Sequence, residues 1–114
     1  MEQNYLKKIK KEFAHIKPYD EDDLDWWNEG LDFIEQDKLD EAEKMFKMLI
    51  VSQPHHSDGF EGLAMVYKKM DRKKEAMYFI DLAVEKAREA LQAERVEQEI
   101  LEMILHQKKE IEKI

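Results

Sequence analysis

Shifted by 34 residues, this sequence falls into register with itself. Trp26 lands on Phe60, Gly30 on Ala64, Phe33 on Tyr67, Ala42 on Ala76, Phe46 on Ile80 and Leu49 on Ala83, while Asp37 and Glu41 recur as Asp71 and Glu75. Self-similarity at such a period marks stacked copies of one supersecondary unit. Within each copy the first aromatic, the small residue and the second aromatic are four and three apart, so they share one face of a helix. A polar break follows at Gln36–Lys38 and again at Asp71–Lys73. Beyond it Ala42, Phe46 and Leu49, or Ala76, Ile80 and Ala83, repeat the spacing and predict a second helix. The small residues Gly30, Ala42, Ala64 and Ala76 let two backbones approach closely. Each copy therefore predicts an antiparallel hairpin of helices A and B, and the fold class is all-α.

The order aromatic, small, aromatic, Ala, aromatic, Pro in Trp26, Gly30, Phe33, Ala42, Phe46 and Pro54 resembles the tetratricopeptide repeat. The second copy matches with Phe60, Leu63, Ala64, Tyr67 and Ala76, and departs with Ile80, Lys73 and Arg88. Losing the proline at position 88 predicts that the second helix B runs on. The resemblance covers residues 23–90, divided as 23–56 and 57–90, and implies a right-handed superhelix of hairpins that binds protein. It carries little further information about function.

Two repeats alone leave open apolar faces, so capping helices are expected on either side within one domain, residues 1–114. Residues 2–16 place Tyr5, Leu6, Ile9, Phe13 and Ile16 at helical intervals among lysines, with Pro18 as the stop, which makes residues 1–19 an amphipathic arm. From Lys73 to Ile114 there is neither Gly nor Pro, and Val96, Ile100, Met103, Ile104, Ile111 and Ile114 form a stripe. That pattern predicts helix to the end, with residues 91–114 as a cap. Gln107 and Glu110 interrupt the stripe, so the last two turns are free to project or to pair in a homodimer.

Charge narrows the partners. Residues 1–19 hold five Lys against two Glu, and residues 20–44 hold twelve acidic groups against two Lys, within a net charge of −8. Nucleic acid is disfavoured because phosphate binding needs a basic stripe to release counterions. The chain has no cysteine, no apolar run of membrane-spanning length and no apolar h-region after the arm's lysines, so a cytoplasmic location and no membrane partner are expected.

In the tetratricopeptide family the concave groove is lined by helix A residues beside the motif positions. That resemblance places Leu24, Trp27, Leu31 and Ile34 in the groove of the first repeat, and Asp58, Glu61, Met65, Lys68 and Lys69 in that of the second. Large apolar side chains left in water forgo roughly 1.5–3 kcal/mol each, so something is expected to cover them. Two coverings stay open: the arm's Tyr5, Leu6, Ile9 and Phe13 folding back, or a protein or peptide with an apolar segment. A clamp for a partner's C-terminal carboxylate, known in some relatives, is not expected, since its places hold Trp27, Leu31 and Gly62.

Catalytic patterns are weak. Glu12 and His15 have the spacing of a di-iron half-site, but no second copy is visible. His55, His56 and Asp58 could approach a metal, although adjacent histidines diverge, and Ser57 or Asp58 reads better as a helix N-cap. With no phosphate loop or nucleophile elbow, neither an enzyme nor a cofactor or metal site is expected. The leading expectation is a non-catalytic binding scaffold. Alternatives are a small acidic secretion-type chaperone shielding an apolar helix, and a homo-oligomerisation module whose groove its own arm fills.

Overall fold

The computed structural model describes residues 4–18 and 24–114, the side chain of Leu24 excepted. Among them the order is α1 (Tyr5–Glu12), α2 (Leu24–Glu35), α3 (Leu39–Ser52), α4 (Asp58–Lys69), α5 (Lys73–Gln92) and α6 (Gln98–Glu112), with no strand among the described residues. The chain is all-α.

The 34-residue period governs the backbone as well as the side chains. Helix α2 begins at Leu24 and α4 at Asp58; they end at Glu35 and Lys69, and α3 and α5 begin at Leu39 and Lys73. Each of those three landmarks is displaced by the same 34 residues. Both breaks are closed in one way: Asp37 and Asp71 sit at φ 60° and 58°. The Lys38 N–H donates to the Phe33 carbonyl at 2.8 Å and the Arg72 N–H to the Tyr67 carbonyl at 2.9 Å. These are left-handed helix ends that satisfy carbonyls otherwise left without partners.

Each helix from α2 onward packs on the next in sequence, and α2 also touches α4, and α4 touches α6. The core of each copy is made by its period positions. Ala42, Phe46, Leu49, Phe60, Ala64, Tyr67, Ala76, Ile80 and Ala83 are all buried, whereas Trp26 and Phe33 are half-buried. The Phe46 ring marks the tightest point. A Cβ on Gly30 of α2 would lie 2.5 Å from its Cζ, and a Cβ on Gly62 of α4 would overlap the same ring. Two glycines inside helices each cost roughly 1 kcal/mol relative to Ala. Here they let α3 sit between α2 and α4, with Phe46 filling the space. Tyr67 of α4 also donates to Glu43 Oε2 of α3 at 2.7 Å, and Arg72 lies 4.6 Å over the Tyr67 ring. Burial, reinforced by that hydrogen bond, pushes the Tyr67 phenol above its ordinary range.

The structure departs from the sequence expectations in both flanking segments. The arm's helix stops at Glu12, not at residue 16; Phe13 leaves helical geometry, its N–H still bonded to the Ile9 carbonyl, and is buried. Of the two coverings left open for the groove, the arm's described residues do not supply the first, because they lie on other helices. Tyr5 meets Tyr78 and Phe79 of α5 at 5.0 and 5.9 Å, and Glu12 pairs with Lys47 of α3 at 3.9 Å. Its apolar face thus covers α3 and α5, which are the B helices of the sequence reading. Helix does not run from Lys73 to the end either. Helix α5 outlasts its counterpart by passing position 88, as the missing proline predicts, and then stops at Gln92 with Glu94 at φ 59°. Here the Arg95 N–H donates to the Ala90 carbonyl at 2.9 Å, a third left-handed helix end, made without glycine. The reversal allows α6 to fold back and bury Leu101, Ile104 and Ile111.

Nor do the last turns project. Lys108 pairs with Asp81 at 2.9 Å, and the Lys73 ammonium donates to the Glu112 carbonyl at 2.9 Å and to a main-chain oxygen of Ile114 at 3.0 Å. Both contacts join α5 to α6 in antiparallel register. A cation at a helix C-terminus also meets the negative end of the helix dipole.

Candidate functional site

Where α2, α4 and α6 come together, a half-open cleft of about 840 Å³ is left unfilled. Its apolar wall is Trp27 of α2, Ala90 of α5, Val96 of the α5–α6 connection, and Ile100 and Met103 of α6. Its polar wall is His55, His56 and Ser57 of the α3–α4 connection, Asp58 and Glu61 in the first turn of α4, and Arg95. The reversal at Glu94 builds this site, because an unbroken α5 would carry Ile100 and Met103 away from Trp27. Trp27 is fixed from behind by an edge contact of its ring with Phe46 at 5.7 Å. The two glycines that seat Phe46 therefore also set the depth of the cleft.

Met103 is 60% exposed and Ile100 37%, the most open large apolar side chains of the described residues apart from Ile114 at 42%. Glu61 lies opposite them. Burial, followed by the charge of Asp58, raises its carboxyl from 4.5 to about 7. A part-buried carboxylate one helical turn from another is poorly hydrated and repelled by its neighbour, and both effects favour its protonated form.

Of the groove residues expected from the sequence, the cleft brings together Trp27, Asp58 and Glu61. Leu24 opens α2, but its side chain lies outside the described residues. Ile34 is 9% exposed and belongs to the core, so it is closed to a partner; Leu31 and Met65 are half-buried against that core. Lys68 is half-buried and its charge acts on Glu110 of α6, while Lys69 is exposed. Neither lines the cleft. Val96, Ile100 and Met103 also line it, although the sequence places them in the apolar stripe of the C-terminal cap. In α6 the buried face is Leu101, Ile104 and Ile111, and Ile100 and Met103 are turned off it. Two apolar residues beside the main face were the available signal.

Ser57 occupies the N-cap position of α4, yet its side chain makes no capping hydrogen bond. Among the described residues no group of three or more His, Cys, Asp or Glu side chains could hold a metal ion. No helix among them is long and apolar enough to cross a membrane.

What the described residues define is a small all-helical protein with an internal 34-residue repeat and a half-open, partly apolar cleft. Compared with family models, curated proteins and solved structures, the chain matches none of them.

Proposed function

We propose that this protein is a non-catalytic binding module of the tetratricopeptide kind, which holds an apolar segment of another polypeptide in the cleft between α2, α4 and α6. The observation that carries the reading is the exposure of Met103 and Ile100 in a concave wall shared with Trp27. Covering such side chains is worth roughly 1.5–3 kcal/mol each, a gain that the described residues leave untaken. The arm is spent on α3 and α5 and supplies no described residue to the cleft lining. The common displacement of helix ends, left-handed turns and buried side chains supports the repeat reading. A concave wall formed by alternate helices is how stacked repeats present a binding surface.

The test uses Ile100→Ser and Met103→Ser, substitutions on side chains exposed enough to leave the core intact. Affinity capture from native cells with the unaltered chain and with the double variant is compared by mass spectrometry, with sedimentation of each protein alone. A polypeptide retained by the first and lost by the second, with unchanged melting, supports the module. Identical retention by both contradicts it. A self-associating chain whose association the double variant abolishes makes the occupant a second copy.

A further inference from the structure

The shape of the cleft says that its occupant is apolar; its charges say more. Asp58 and Glu61 stand on the same face of the first turn of α4, with Glu61 part-buried beside the apolar wall. The titratable and charged groups that share the cleft with Glu61 are Asp58 on its own helix, His55 and His56 from the α3–α4 connection, and Arg95 from the α5–α6 connection. Among the described side chains, helices α2 and α6 bring only Trp27, Ile100 and Met103 to the lining. Of these groups Asp58 acts on Glu61 with the wrong sign, adding its repulsion to the loss of water. A cation set down beside Glu61 would restore what burial removed, and it would do so in a cleft that also holds an apolar wall.

We propose that the segment taken up by the cleft carries a lysine or arginine next to its apolar side chains, and that this cation pairs with the carboxylate of Glu61. The inference rests on the binding reading above and names the chemistry of the partner. The net charge of −8 draws such a segment in from a distance, and the pairing at Glu61 fixes its register. Pairing requires the ionised carboxylate. With half-ionisation at about 7, the competent fraction falls about tenfold between pH 8 and pH 6, and apparent affinity falls with it. Uptake of the segment accordingly releases a proton near neutrality.

Two synthetic helical peptides serve as probes, one a pattern of leucine and lysine and the other the same pattern with glutamate for lysine. Binding is read from the fluorescence of Trp27 in a Trp26→Phe background. The leucine–lysine peptide should bind about tenfold more weakly at pH 6 than at pH 8. That dependence should vanish in Glu61→Gln, and it should survive in His55→Gln/His56→Gln and in Glu85→Gln, which makes the same charge change on the exposed part of α5. If both peptides bind equally and Met103→Ser abolishes both, the cleft is a binding site and the cationic partner is wrong. If Glu85→Gln weakens binding as much as Glu61→Gln, the attraction is only that of the overall charge and the pairing is wrong. If the pH dependence disappears with the histidines, Glu61 is not the group. If neither peptide binds, the binding reading falls together with the inference.

Discussion

Phe46 is the residue on which the packing of both copies converges, with Gly30 on one side, Gly62 on the other and Trp27 at its edge. A methyl group at position 62 would have to displace a ring with no free space of its own. Gly62→Ala is therefore expected to destabilise by roughly 1–3 kcal/mol, even though alanine is the better helix former by about 1 kcal/mol. Thermal or urea unfolding reads the sign: a stabilised Gly62→Ala would mean that the ring is not held where the structure has it. Sequence alone reveals the role of Gly30, which sits on the period, but not that of Gly62, whose place two residues before Ala64 reads as groove.

Glu61 poses the opposite problem, a side chain kept where its charge is unwelcome. Its carboxyl holds a proton more readily in the folded chain, with half-ionisation at about 7, than at its ordinary value of 4.5. Its ionisation thus works against folding. The penalty is absent below the ordinary value of 4.5, grows as pH rises from there to about 7, and is complete above it. Glu61→Gln should raise the melting temperature more at pH 8 than at pH 5, and an equal rise at both would show that the carboxyl is not perturbed. No sequence pattern distinguishes this glutamate from the exposed ones, since its perturbation comes from the side chains folded around it.

At the level of elements, Asp37, Asp71 and Glu94 close three helices in the left-handed conformation at φ near 60°. The first two are announced by the period, and aspartate tolerates that conformation better than most residues. The third falls outside the period and bears a glutamate, so a stretch with neither Gly nor Pro reads as one helix. What ends α5 is the burial gained when α6 returns with Leu101, Ile104 and Ile111, a tertiary gain that local propensity does not show. Glu94→Gly should consequently stabilise the protein by about 0.5–1 kcal/mol, the relief of the left-handed strain less the entropy of glycine in the unfolded chain. Unfolding in urea measures it, and a loss of stability would argue that the chain does not reverse at that residue.

For the whole molecule, the all-α class, the two hairpins and the positions of the A–B turns were legible because periodicity and small-residue spacing encode local helix faces. The destination of the arm and of α6 was not, because both depend on which of several apolar faces each covers. Tyr5, Ile9 and Phe13 fit an apolar groove as well as they fit α3 and α5, and only the packed chain decides between them. The same ambiguity hid half of the cleft, whose α6 wall exists only after the reversal at Glu94.

The central claim is that the face built by α2, α4 and α6 is the one that binds. It is tested most directly by amide chemical-shift mapping of the intact chain titrated with the leucine–lysine peptide. The shifted amides should cluster at Trp27, at residues 55–61 and at residues 95–103, with α1 and the exposed face of α3 unchanged. Shifts concentrated on α1, α3 and α5, or none in residues 95–103, would contradict it.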